Sequence, residues 1–408
     1  MLKKYGFWLL VLLWLIYILS FVDRQIIAVL ASQIRPELGL SNFQVGILYG
    51  AAFSFVYAFA GIPMGWLADR FSRAKMIAIG LFAWSLVTVA SGFAASFATL
   101  VVFRMILGLS QAMLSPAAYA LLAETFPEKH RSKVFSVYAS GIFLGVGASF
   151  LVGGTVSELY DWRTAMIAVG IPGLLLAPVA WFFIRDAASA KVRSGYGSTV
   201  HIFEQLRWML KKKTIRWHLI GFAALACTGY SVLSSFGTIM AEVFGAPHLI
   251  RHYGWFLFGV ALTVYVAGHV ADRLAIKHPA RRFYIGYFAV LGAVPLYFLG
   301  LFADTGFTAL ILLGTAVLIS SCYNGVAASL IQFLVKPEMR ALAGGLYLFV
   351  ISVAGFGFGP PVTGLLADVV FTGQYAMSKA LLSVILFCSV VGAFSFKLAI
   401  NSYDEDRC

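Results

Sequence analysis

Charge is what this chain is short of. Of 408 residues only 12% are charged, against about 25% in ordinary soluble domains, while 61% are hydrophobic. That composition excludes an ordinary soluble enzyme. Cysteine is scarce as well: Cys227, Cys322, Cys388 and Cys408 stand far apart, with no CxxC or His/Cys ligand spacing. Neither a disulfide framework nor a metal site is indicated. There is no HExxH, no Walker lysine motif and no strand-placed GxSxG, and the run Gly355, Gly357, Gly359 lies in an apolar helical stretch rather than a strand-to-helix turn. No catalytic residues and no cofactor are expected. Acid is the scarcer sign, 17 residues against 30 basic ones, for a formal charge of +13. A nucleic-acid binder would gather those basic residues on one soluble face. Here they sit in short gaps between apolar runs, so no nucleic-acid partner is expected.

What is present is length enough for twelve apolar segments of about 22 residues with short connections and little to spare. The uncharged run 5–22 behind Lys3 and Lys4 is too long for a signal-peptide h-region and reads as a retained first helix. Further spans fall near 43–67, 75–95, 98–122, 132–156, 163–184, 217–241, 251–271, 282–302, 307–333, 341–367 and 375–399, the first extending to about 31. The expected fold is an all-α integral membrane protein of twelve transmembrane helices in two six-helix bundles. Residues 1–184 form the first, 217–400 the second, and 401–408 a tail. Between them, 185–216 is a linker whose amphipathic part, 201–213, suits a membrane surface.

With the N-terminus inside, 24 of the 30 basic residues fall on the inner segments, four on the outer ones, and Arg24 and Arg104 within spans. The positive-inside rule therefore places both termini in the cytoplasm, in a cell membrane expected to be a bacterial inner membrane. The net charge is largely a topology signal directed at lipid headgroups. Membrane lipids are thus expected partners, and the chain is expected to act as a monomer.

A repeat lies across this plan. Gly65, Asp69, Arg70 and Arg73 close span 2, and Gly268, Asp272 and Arg273 close span 8, an offset of 203 residues at the same place in each half. Two copies in register indicate duplication, and parallel repeats are a common transporter design with substrate near the midplane. The motif resembles the Gly-x-x-x-Asp-Arg-x-Gly-Arg loop of the major facilitator superfamily, with Ser72 where that family usually has glycine. Arg104, Gly108 and Ala112 on span 4, the glycines 141, 145, 147, 153 and 154 on span 5, and Asp161, Trp162, Arg163 before span 6 extend the resemblance. It implies that Asp69 meets the N-terminus of span 11, where a helix dipole favours a carboxylate. Arg73, Glu124 and Arg131 are expected to complete an ion network that holds an inner gate shut.

Three formal charges lie well inside spans: Asp23, Arg24 and Arg104. Charges in hydrocarbon are costly and mark pathways or counter-ions. Counting 1.5 Å per residue puts Asp23 about 13 Å and Arg104 about 9 Å below the outer face, close enough in depth to pair. Gln111 lies two turns deeper on the face of Arg104. Tyr49, Tyr57 and Tyr119 join them, whereas the second half offers only Tyr230, Ser231, Ser234, Ser235, Tyr323 and Asn324. A cavity polar on one wall and aromatic on the other suits a small amphipathic anion, although plain interhelical packing explains the tyrosines and serines equally well.

Within the superfamily the chain resembles the Spinster-like transporters, through residues 21–24, 83–88, 323–325, 337–343, 355–360 and 364–368. The resemblance implies export of lysophospholipids or sphingoid phosphates in animals and a proton-linked carrier of poorly defined substrate in bacteria, with coupling through the span 1 Asp and Arg, the span 4 Arg and a span 4 Glu. The first three fall on Asp23, Arg24 and Arg104; the Glu position is Gln111, which cannot titrate. Coupling then rests on Asp23, held ionised by a paired cation and driven to protonate when burial leaves it unpaired. The organic-anion symporters of the same superfamily, which take sugar acids, and the drug exporters are the alternative readings.

Overall fold

The structure, a computed structural model, describes residues 2–186, 199–336 and 339–406. Side chains of Asp69, Arg131 and Arg340, and all of Pro337, Glu338, Arg407, Cys408 and linker positions 187–198, lie outside that description. Every element among the described residues is helical. Among the described residues twelve helices are long and apolar enough to cross a membrane: Lys4–Glu37, Asn42–Gly61, Arg73–Ser91, Phe97–Thr125, Lys133–Leu159, Trp162–Phe183, Lys213–Val243, Pro247–Lys277, Pro279–Leu301, Gly306–Phe333, Leu342–Val369 and Ala376–Ser402. They are numbered here as spans 1 to 12. Most extend a few residues beyond the bounds read from hydropathy, because amphipathic turns at the ends stay helical. The linker helix Thr199–Lys211 follows the expected amphipathic stretch.

The chain divides into two compact units, Met1–Ser194 with Ile250–Phe258, and Gly195–Leu249 with Gly259–Cys408. The start of span 8, Ile250–Phe258, thus groups with the first unit.

The duplication reaches beyond the loop motif. Ser96 caps span 4 through the amide of Thr99, and Thr305 caps span 10 through the amide of Thr308. Each cap satisfies an otherwise unpaired helix-start donor. Both spans then break at mid-length: span 4 into Phe97–Gln111 and Leu114–Thr125, span 10 into Gly306–Ser321 and Asn324–Phe333. Spans 5 and 11 share another irregularity, widened π turns at Ser149–Gly153 and Ile351–Phe358. Adding the 203-residue offset to the first places it within the second. Irregular turns free backbone carbonyls that a regular helix would use. Interrupted helices at matching places in two repeats point to where a carrier binds its cargo.

Glycines allow close approach within the first unit, two of them against backbone carbonyls of a neighbouring span at 2.6 Å or less. A Cβ on Gly108 of span 4 would lie 2.6 Å from the carbonyl of Phe53 on span 2. One on Gly145 of span 5 would lie 2.5 Å from the carbonyl of Ile18 on span 1. At one end of the unit Glu37 joins span 1 to span 6, accepting from Trp162 Nε1 at 2.5 Å and from Arg163 at 2.7 Å. Arg163 also donates to the carbonyls of Gly92 and Ala94, and Asp161 caps span 6 through the amide of Thr164.

Candidate substrate and coupling site

Arg104 does not pair with the Asp23 carboxylate as depth alone suggested. Its guanidinium, 3% exposed, donates only to backbone carbonyls: Leu48 at 2.9 Å, Asp23 at 3.1 Å, Arg24 at 2.9 Å and Tyr49 at 3.3 Å. Leu48 and Tyr49 lie in the π turn Ile47–Ala51 of span 2, whose widened geometry releases carbonyls toward a donor. The planar five-donor fork of arginine fits this task. Arg104 therefore braces spans 1, 2 and 4 together, and its charge is met by backbone dipoles instead of a carboxylate.

Arg24 is the less compensated cation. One nitrogen donates to Gln111 Oε1 at 3.1 Å, and Gln111 in turn donates from Nε2 to the carbonyl of Ser20 at 3.0 Å. Its guanidinium carbon lies 4.4 Å from the ring centroid of Phe21, 4.7 Å from that of Phe53 and 4.7 Å from that of Tyr57. The Nε atom has no hydrogen-bond partner. A ring face attracts a cation by about 0.5 kcal/mol when exposed and about 2 kcal/mol when desolvated, but carries no neutralising charge. Gln111, at the break in span 4, holds the arginine in place without pairing its charge.

The aromatic surround continues along span 1. Tyr17 stacks on Tyr138 of span 5 at 4.2 Å and meets Phe21 edge-on at 5.2 Å, and Tyr119 meets Tyr138 edge-on at 5.2 Å. Tyr49 is fully buried and donates to Gln25 Oε1 at 2.5 Å. Of these, Tyr17, Phe21, Gln25, Phe53 and Tyr138 were missed in the sequence. A signal was there: Tyr17, Phe21 and Arg24 on span 1, and Tyr49, Phe53 and Tyr57 on span 2, follow the three-and-four spacing of one helix face.

The second unit has an aromatic cluster with one imidazole. Tyr323, at the break in span 10, lies 3.2 Å from His218 Nδ1 by its hydroxyl, while His218 Nε2 lies 3.2 Å from the carbonyl of Ala327. The neutral tautomer that donates from Nε2 and accepts at Nδ1 satisfies both contacts. Phe222 stacks on Tyr347 at 4.9 Å, and Tyr347 donates to the carbonyl of Asn324 at 3.4 Å. Tyr230 stacks on Phe356 at 4.6 Å, and the buried Ser231 hydroxyl has no hydrogen-bond partner. His218, a lone histidine in an apolar run, was passed over in the sequence.

The loop motifs carry ion contacts of their own. Arg73 pairs with Glu124 and donates from Nε to the carbonyl of Ala68. Ser72, the departure from glycine, donates to Asp186 at 2.5 Å, and Asp186 also accepts the amide of Ala74. Arg70 lies 3.9 Å over the Trp66 ring. The expected contributions of Asp69 and Arg131 fall on side chains outside the description. Gly65 lies within the helix that ends at Arg70. In the second copy Asp272 pairs with Arg282 at 3.3 Å, while the neighbouring Arg273 is exposed, and a Cβ on Gly268 would meet nothing within 4 Å.

Two duplicated helical units, helix breaks at matching places and buried charges inside spans define a polytopic membrane carrier. The profile of the Major Facilitator Superfamily matches residues 13–360. The chain belongs to that superfamily, and within it is Spinster-like: it is a transporter and not an enzyme. It is 30% identical to an MFS-type efflux pump of Mycolicibacterium smegmatis, over 95% of this chain and 91% of the pump. It is 25% identical to the hexuronate transporter of Bacillus subtilis, over 90% of each. Among solved structures it resembles a bacterial homologue of the human lysosomal transporter Spinster, in an inward-facing and unoccupied conformation. There the TM-score is 0.88 at 25% identity, covering 99% of this chain and 98% of that one.

Proposed function

We propose that the chain is a proton-coupled carrier of an amphipathic organic anion of the lysolipid or sphingoid class, working by alternating access with both termini cytoplasmic. The observation that carries this reading is Arg24: a buried guanidinium, ringed by Phe21, Phe53 and Tyr57, whose one side-chain partner is the neutral Gln111. An anionic headgroup supplies the missing charge, and the neighbouring ring faces accept apolar substance better than they accept hydroxyls. Asp23 is the carboxylate of the same region that can exchange a proton, and its Oδ1 has no hydrogen-bond partner. On the loop side, the Arg73–Glu124 pair and the Asp186 bridge serve as contacts that bias one state of a two-state equilibrium.

A second reading, a proton-coupled symporter of sugar acids, has the hexuronate transporter likeness in its favour, and drug export has that of the efflux pump. Thermal-shift titration of the purified carrier separates them, because a ligand that binds the folded state raises its apparent stability. Lysophospholipid and sphingoid phosphates are expected to raise the melting temperature in a concentration-dependent way, and hexuronates to leave it unchanged. Stabilisation by hexuronate alone overturns the lipid assignment.

A further inference from the structure

Span 10 restarts after its break at Asn324, and Tyr323 stands at the helix cap without a capping hydrogen bond to its side chain. The first turn closes through the amide of Ala327, which donates to the carbonyl of Tyr323 at 2.8 Å. His218 of span 7 holds both ends of that turn: Nδ1 lies 3.2 Å from the Tyr323 hydroxyl and Nε2 lies 3.2 Å from the Ala327 carbonyl. His218 and Tyr323 are fully buried. Phe283 of span 9 meets the imidazole edge-on at 5.6 Å, and Phe396 of span 12 meets the Tyr323 ring edge-on at 4.9 Å.

The first unit has a matching arrangement. Gln111, the last residue before the break in span 4, donates to the carbonyl of Ser20 and accepts from Arg24, both on span 1. In each unit a polar side chain therefore ties the broken fourth span to the first span of its own repeat. The two ties differ in charge. Gln111 meets a guanidinium, whereas stretches 217–241, 283–303, 305–335 and 341–367 of spans 7, 9, 10 and 11 hold no Asp, Glu, Lys or Arg. Titratable side chains in the surrounding core are Tyr287 of span 9, Tyr323 and Cys322 of span 10 and Tyr347 of span 11, while Lys397 of span 12 is exposed. A neutral imidazole that donates from Nε2 and accepts at Nδ1 uses both nitrogens; an imidazolium has two donors and displaces the tyrosine O–H. We infer that His218 is a positioning residue, fixed as the Nε2–H tautomer, that pins the turn restarting span 10. A broken span that bends at one place needs its hinge turn held, so the pin acts on the rate of the conformational step and leaves the affinity for cargo to Arg24.

Only the transport arm of the test rests on the alternating-access reading. Full-length carrier labelled with 15N-histidine, in lipid nanodiscs, is followed by NMR between about pH 5 and pH 8, the His218 signals being identified by their loss in His218→Gln. The expected result is a protonated Nε2 and a bare Nδ1 throughout, with Tyr323→Phe moving the Nδ1 signal. Amide hydrogen exchange over Asn324–Phe333 is expected to quicken about tenfold in His218→Leu and in Tyr323→Phe, each of which strips one partner from the pin. In His218→Gln, whose amide both accepts and donates, exchange is expected to stay at the parent level. Exchange over Leu114–Thr125 is expected to hold constant in all three, which separates loss of the pin from general loosening. Labelled lysophosphatidic acid is expected to cross several-fold more slowly in the two loosened variants, at an unchanged apparent Kd. An Nδ1–H tautomer, an imidazole that titrates in that window, parent-like exchange in both stripped variants, or no rescue by glutamine overturns the pin. Full transport by loosened variants overturns its positioning role. Should His218→Leu fail to fold, Tyr323→Phe against the parent decides alone. The expected NMR and exchange results in a parent that carries no lysophosphatidic acid sink the lipid reading and leave the pin standing.

Discussion

Replacing Gln111 by glutamate puts a carboxylate where the structure has an amide oxygen 3.1 Å from the Arg24 guanidinium. Two unit charges about 4 Å apart attract by about 4 kcal/mol at an effective dielectric of 20. Desolvation of the new carboxylate opposes this, and burial of an ion pair can consume most of the gain. If one third survives, about 1.4 kcal/mol, an external anion must displace an internal one and its affinity falls about tenfold. The assay is a thermal-shift titration with lysophosphatidic acid, giving apparent Kd for the parent and Gln111→Glu carriers. Affinity is expected to drop about tenfold near pH 8 and to recover in acid, as the new carboxyl group takes up a proton. An unchanged affinity across that range would refute the argument, because it would mean that Arg24 is not where the anion goes.

Further outcomes follow from the same contacts. Arg104→Lys keeps the charge but cannot fork to four carbonyls; losing at least two charge-assisted bonds at about 1.5 kcal/mol each costs about 3 kcal/mol. The melting temperature in detergent is expected to fall clearly, and a variant that melts like the parent while failing to transport would make Arg104 a ligand and not a brace. Arg73→Ala and Glu124→Ala are each expected to slow transport several-fold at normal expression, with partial recovery in the exchange Arg73→Glu with Glu124→Arg; single variants at full rate reduce the pair to a topology signal. At the start of span 6, the Thr164 amide holds the Asp161 carboxyl below its ordinary value of 3.8. Its contribution to stability is thus complete above about that value and is lost as pH falls through the lower, folded one. Between about pH 5 and pH 3 the melting temperature of Asp161→Asn, which keeps a capping oxygen without the charge, is expected to fall less than that of the parent. Superimposable curves count against the cap.

Span number, the helical class and the duplication were legible because each depends on quantities the sequence carries directly: apolar length, charge spacing and a repeated offset. Gln111, Tyr323 and Asn324 were also legible, and they prove to flank the breaks in spans 4 and 10. The partner of Arg104 was not. Equal depth suggested Asp23, but the choice of acceptor depends on a π turn at Ile47–Ala51 that no residue in that stretch announces. Glu37 and Asp186 escaped notice for another reason: as lone acids near span ends they look like ordinary solvated residues. Their partners, Arg163 and the amide of Ala74, are far away in sequence.

Proton-driven movement of an amphipathic anion is the central claim, and uptake into proteoliposomes under an imposed pH gradient measures it most directly. Labelled lysophosphatidic acid is the substrate, with the parent carrier and Asp23→Asn compared at equal reconstitution. The parent is expected to accumulate label above equilibrium only while the gradient lasts, and Asp23→Asn to equilibrate it without accumulation. Accumulation by Asp23→Asn equal to that of the parent, or no gradient-dependent uptake by the parent, contradicts the account.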